Sequence, residues 1–312
     1  MSKQPSRGGS SKRRPQQRKG RTAAAAKSAK KGTDRTAWIV AAIVIAVGGA
    51  LVFVFASGAN KSSGPPHISP RKPAPAELVK KVTTIPQSTW SKVGAGSVSS
   101  LPVRLPGPRL VNKDGKPRIV YMGAEYCPYC ATERWGMVNA LSRFGEFTNL
   151  QITSSAIRAP NGQPEASPNT QTFSFYSSTY KSDYIQWEPV EQQDNKYQDL
   201  EQPTAEQSQL LAKYDAPPYT NSAGAIPFID FANQFMISGA SYDANVLADK
   251  TQDQIANAMA DGTSDISKGA LGSANVITAA ICATTDNKPA NVCNDPIIQA
   301  IQSQIKAQSV PK

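Results

Sequence analysis

The chain has 312 residues, with 34 Lys and Arg against 23 Asp and Glu, four cysteines and a single histidine. Residues 1–36 hold twelve of the basic side chains and, of the acidic ones, Asp34 alone, so the net charge of +11 belongs to a tail and the remainder is balanced at 22 of each sign. With His67 isolated in a Pro/Ser/Gly-rich stretch, Ser-His-Asp and Cys-His nucleophile systems and the common zinc sites are excluded; no G-x-G-x-x-G or G-K-[ST] turn is present, and neither metal nor other cofactor is expected.

In chain order, residues 1–36 lack apolar periodicity and are expected to be a disordered cytoplasmic tail. Residues 37–56, AWIVAAIVIAVGGALVFVFA, are uncharged and long enough to span a bilayer as a single transmembrane anchor. The basic tail is therefore read as a topological signal rather than a nucleic-acid arm, and no nucleic-acid partner is expected. Positive-inside bias puts the N-terminus in the cytoplasm and everything after residue 57 outside, where disulfides persist. Residues 57–75 read as a Pro/Ser-rich linker containing a solvated His67. Folding is expected from 76 to 312, opening with a short helix at AELVKKV, an edge strand over 97–105, a turn over 112–115 and a strand over 119–123.

That strand delivers the most informative segment, EYCPYC, with Cys127 and Cys130 two residues apart where a helix begins. A cysteine at a helix N-terminus faces unpaired backbone N–H groups and the positive end of the dipole, which stabilise its thiolate. Pro128 fits the first turn, where its missing N–H costs nothing. Cys127 is thus expected to attack and Cys130 to resolve, with Tyr129 exposed and Glu125 ending the strand in solvent. The helix after the dithiol is expected to be amphipathic, with Trp135, Val138, Leu141 and Ser142 on one side and Gly145 as C-cap. A strand over 150–157 follows; then a polar, aromatic region with strand candidates at TFSFYSSTY and DYIQWEPV and a helix over 205–214. Residues 224–242 read as a hairpin turning near Asn233 with Pro227 at its head, and helices are expected over 243–261, 266–283 and 296–307, the last capped by Asp295. Cys282 and Cys293 bracket a turn-rich loop and most simply form a structural disulfide; a second redox pair feeding the first is the competing reading.

This order of strand, CPYC, helix, strand, Xaa-Pro hairpin and helix resembles the thioredoxin superfamily, and CPYC is similar to the glutaredoxin active-site tetrapeptide. The wider pattern, including YMGAEYCPYCATERWGMVNALSRFG, is similar to an uncharacterised thioredoxin-like family of membrane-anchored microbial proteins. The resemblance covers roughly residues 110–262. It implies an α/β thioredoxin-like fold in which Pro227 is cis and the backbone of Ile226 pairs with substrate, with Tyr126, Pro128 and Tyr129 completing the substrate-facing surface. The long separation between the dithiol and Pro227 implies an insertion, placed at 158–223, and a helical C-terminal extension at 264–312. The implied function is a membrane-anchored extracytoplasmic thiol-disulfide oxidoreductase that acts on protein thiols and disulfides and is recycled by a membrane redox partner. The alternative is a non-catalytic binding module of the cell envelope whose CxxC stays closed as a structural disulfide.

Overall fold

Residues 119–123, IVYMG, form an unbroken apolar run buried on both faces, the pattern of a strand at the middle of a layered domain. The computed structural model describes residues 68–311, which form a mixed α/β arrangement. Lys72–Pro73 (β1) leads into helices Ala76–Thr83 (α1) and Gln87–Val93 (α2) and the short strand Val103–Arg104 (β2). Arg118–Gly123 (β3) and Pro128–Leu141 (α3) follow, then Gly145–Thr148 (β4), Gln151–Ser154 (β5), Gln171–Ser174 (β6), Thr179–Ser182 (β7) and Gln186–Glu191 (β8). Ala205–Tyr214 (α4) precedes the hairpin Phe228–Phe231 (β9) and Phe235–Ser238 (β10). After a 3-10 turn at Ala244–Leu247 come Gln252–Ala260 (α5), Asp265–Thr284 (α6), Ala290–Cys293 (α7) and Pro296–Ala307 (α8). The expected basic tail at 1–36, the anchor at 37–56, His67 and the rest of the linker up to it lie outside the described residues.

The central sheet runs β2-β10-β9-β3-β8, with β3 parallel to β8 and every other neighbour antiparallel. Period-2 alternation sorts its side chains. Ile119, Tyr121, Trp187, Ile229 and Phe231 enter the large core beneath the helices, while Val120, Met122, Val190, Phe228 and Met236 enter a smaller one closed by Leu105 and Tyr214. The hairpin turn falls where the sequence places it, in the three residues 232–234, with Ala232 and Asn233 both at positive φ and the Gln234 amide donating to the Phe231 carbonyl. The expected edge strand over 97–105 contracts to β2 against β10.

Four other differences have clear physical causes. The strand expected over 150–157 forms as β5, but it joins a side sheet ordered β1-β5-β6. The parallel partner of β3 is β8, held in register by Arg118, which grips Glu188 through two hydrogen bonds of 2.6 and 2.8 Å. Residues 158–223 are therefore not wholly an insertion, because part of that stretch completes the central sheet. Secondly, α3 is not amphipathic: Pro128 and all of Cys130–Leu141 are buried, since α6 covers the side turned away from the sheet. Thirdly, α3 ends at Ser142, and Gly145, rather than capping it, opens β4, where a Cβ would lie 2.2 Å from the Lys181 carbonyl oxygen. Fourthly, the end of the expected linker is fastened down: β1 pairs with β5, and Ser69 bonds to Ser154 and Gln171.

The helices expected over 266–283 and 296–307 form as α6 and α8, but the one expected over 243–261 is broken. A 3-10 turn at Ala244–Leu247 is followed by non-helical residues 248–251, and the α-helix starts only after Thr251, which caps it. Helix α6 is apolar and long enough to cross a membrane by length and composition, yet 89% of its most apolar window is buried within the domain. Cys282 at its end is disulfide-bonded to Cys293 in α7. Asp295 caps α8 by accepting from the Ile297 and Ile298 amides. Helix α3 meets α6 at Gly136, whose absent side chain admits Ser273: an added Cβ would sit 2.7 Å from Ser273 Oγ and 3.0 Å from the Ala270 carbonyl oxygen. Gly136→Ala is accordingly expected to destabilise by about 1–3 kcal/mol through overpacking, in spite of the better helix propensity of alanine, read as a lower thermal midpoint.

Asp230 on β9 points into the smaller core between Val120 and Met236. Its Oδ1 accepts from the Asn233 amide at 2.8 Å, while Oδ2 has no partner. Burial pushes its carboxyl up to about 7, against that hydrogen bond and the Arg118 charge. A carboxyl raised on folding binds more protons in the native state, so stability falls as pH rises from its unfolded value of about 4 through the folded one. Asp230→Asn is expected to flatten the decline in urea-unfolding stability between about pH 4 and 7, with little effect at the acid end.

Candidate dithiol site

The chain reaches the site because β3 ends in Gly123 and the turn 124–126 reverses directly into α3. Cys127 is the N-cap of that helix and Pro128 its first residue. Cys127 Sγ accepts from the Cys130 amide at 3.1 Å, so the sulfur satisfies one of the donors that a helix start leaves unpaired. Across the site, the Ile226 carbonyl oxygen lies 3.6 Å from the same sulfur and accepts from its thiol. The Ile226–Pro227 peptide bond is cis, and β9 begins at the next residue. Of the substrate-facing residues expected from sequence, Tyr129 stands 45% exposed, Tyr126 and Ile226 are half-buried, and Pro128 and Pro227 are buried.

The two sulfurs differ sharply. Burial is the largest influence on Cys127 and opposes its thiolate, but hydrogen bonds from the Cys130 thiol and amide, the Arg134 charge and the Tyr129 amide outweigh it, leaving its pKa below the ordinary thiol value. Burial also dominates at Cys130, and there its thiol bond to Cys127 and the charge on that sulfur add to it, so Cys130 is held well above the ordinary value. Both are free thiols, in contrast to Cys282 and Cys293. One thiol is thus readily ionised and its neighbour retains a proton.

The site is also marked by its family. The family described as Domain of unknown function (DUF929) matches residues 108–283, more than half of the chain. The chain belongs to the DUF929 family. No curated protein and no solved structure matches it. The DUF929 region holds Cys127, Cys130, the whole central sheet except β2, and Pro227; it ends just past Cys282 and before Cys293.

Behind the dithiol of this DUF929 chain lies a group of buried charges that sequence reasoning missed. Arg134, one turn along α3 from Cys130, forms a two-pronged pair with Glu191 at the end of β8, at 2.9 and 2.6 Å, and donates to the Ala124 carbonyl at 2.8 Å. Both side chains are fully buried. Glu191 also accepts from the Phe175 amide, and burial nevertheless pushes its carboxyl upward. Glu125, expected in solvent, is instead 1% exposed, bonded to Ser174 Oγ and paired with Arg71 at 2.9 Å. Strand β6, which carries Ser174, closes over the strand end and removes the water that a solvated carboxylate needs. The available signal was TERW, charges set within a helix otherwise built for a core.

Two further features shape access. On one side Tyr126 stacks on Tyr197 with ring centroids 4.3 Å apart, and Tyr197 donates to the Glu165 carboxylate, forming a wall beside Cys127. On the other side a cavity of about 390 Å³ opens between Tyr129, Ile226, Gly239, Tyr242 and Asp243. The buried Glu133 of α3 fixes that rim by accepting from the Ser241 amide and hydroxyl and from Ser273.

Proposed function

We propose that the protein is a membrane-anchored extracytoplasmic thiol-disulfide oxidoreductase of thioredoxin-like fold. The observation that carries this reading is the unequal dithiol: a helix-capping Cys127 with a lowered pKa beside a Cys130 with a raised one, facing the backbone of a cis Ile226–Pro227 bond. The arrangement of β8, β3, β9 and β10, with β3 leading into the dithiol helix and Pro227 heading β9, supports the thioredoxin-like assignment. The basic tail and the apolar 37–56 run support the anchored topology.

In the reducing direction the Cys127 thiolate attacks one sulfur of a substrate disulfide, forming a mixed disulfide and releasing the other substrate sulfur as a thiolate that takes up a proton. Cys130 then gives up its proton and attacks Cys127 Sγ, which releases the second substrate thiol. The pair ends as a disulfide, and two electrons and two protons have passed to the substrate. The oxidising direction is the reverse, and a membrane dithiol or disulfide protein restores the pair. The cavity beside Tyr129 receives the substrate chain, and the Ile226 backbone pairs with it.

The test is a redox titration of the full chain, with the cysteine-containing peptides labelled and separated by mass. A transition of the Cys127–Cys130 peptide between about −120 and −270 mV supports the proposal. A pair that stays oxidised below about −300 mV is structural, and the binding-module reading then replaces it.

A further inference from the structure

The segment that leads into the domain reaches the charges behind the dithiol. Arg71 immediately precedes β1, is 27% exposed, and pairs at 2.9 Å with Glu125, which is 1% exposed. Its guanidinium also lies over the Tyr176 ring, 4.2 Å from the centroid. Neighbouring residues hold the segment in place: the Ser69 carbonyl accepts from Asn195 at 2.8 Å, and the Ala74 amide donates to Leu150. The pairing is thus built in, not a transient surface contact.

Three carboxylates meet here, from three places in the chain. Glu125 precedes the dithiol, Glu191 ends β8, and Glu201 accepts from the Glu191 amide at 2.7 Å. Among the described residues two cations pair with them, Arg134 from α3 and Arg71 from the entering segment. Their fields are linked: the Glu125 charge bears on Glu191, Arg71 on Glu201, and Arg134 on both cysteines. Cys127 also faces the phenols of Tyr121, Tyr126 and Tyr197. Of the charged groups here, Arg71 alone comes from outside the family-matched stretch.

We propose that Arg71 is a positioning residue for the dithiol: by pairing with Glu125 it keeps the buried charges behind Cys127 close to neutral, so that Arg134 remains free to favour the thiolate. Exposed ion pairs rarely matter, but the loss of one partner of a buried carboxylate leaves a charge that neighbouring groups must bear. Without Arg71 the unpaired Glu125 competes for the field of Arg134, and the Cys127 thiolate loses support. The proposal rests on the redox reading of Cys127 but concerns only its ionisation. The entering segment thereby becomes part of the redox site rather than a passive tether.

The experiment follows alkylation of Cys127 by iodoacetamide against pH in the reduced full chain, read from the mass of its peptide. Arg71→Gln is expected to move the midpoint upward by about half to one pH unit, a roughly three- to tenfold slower reaction below the midpoint. Arg71→Lys and the double variant Arg71→Gln, Glu125→Gln are expected to bring it back, a rescue that a merely structural role does not produce. Glu125→Gln alone is expected to move it downward, and it provides the test if Arg71→Gln does not fold. Midpoints unchanged in Arg71→Gln or in Glu125→Gln, or a double variant no better than Arg71→Gln, overturn the proposal. A wild-type midpoint at the ordinary thiol value of about 8.5 instead counts against the oxidoreductase reading, whatever Arg71 does.

Discussion

Arg134→Met is expected to lower the unfolding free energy by about 3–5 kcal/mol, because it strands Glu191 as a buried charge without its partner. The pair has no water to fall back on, since both side chains are fully buried. The Ala124 carbonyl loses its donor in the same step, and the turn into the dithiol loses a fastening. Urea unfolding of the reduced protein measures the effect. The double variant Arg134→Met, Glu191→Met is expected to recover most of it, since two apolar side chains of similar size need no compensation. A loss below about 1 kcal/mol in the single variant shows instead that Glu191 simply takes up a proton when Arg134 is gone.

Cys127→Ser is expected to remove disulfide exchange altogether, a loss on the order of 10³-fold or more, because Cys130 is buried and its thiol is poorly ionised. Cys130→Ser has the opposite signature. The first attack proceeds, no resolving thiol follows, and covalent complexes through Cys127 accumulate. Non-reducing gels of cells expressing the two variants separate the cases: adducts with Cys130→Ser and none with Cys127→Ser. Adducts in neither variant mean that Cys127 does not attack protein disulfides, and the enzymatic reading fails with them.

Much of this was legible because it is local. The strand before the dithiol, Cys127 at the cap with Pro128 behind it, the hairpin turning at Asn233 and the Asp295 cap each depend on a few adjacent residues. Non-local structure was not legible. Nothing in EPVE says that it lies parallel to RIVYMG, and the candidate over 150–157 has equal strand character but lies in the side sheet. Glu125 and Arg134 follow the same rule: a charge is read as solvated unless the strand or helix that covers it is known. Helix α3 reads as one-sided because its sequence does not announce α6, more than a hundred residues later, as its second cover.

Both sets of cysteines are close in sequence, the free thiols Cys127 and Cys130 and the bonded Cys282 and Cys293, the latter at a separation of 11. Chain entropy alone therefore sorts the sulfurs before any tertiary structure exists. A crossed bridge between the pairs closes a loop of about 150 residues, disfavoured relative to the native loop by roughly 2 kcal/mol from closure alone. An oxidised, newly made chain thus starts biased toward its correct pairing, and needs less help from an isomerase than four cysteines would otherwise demand.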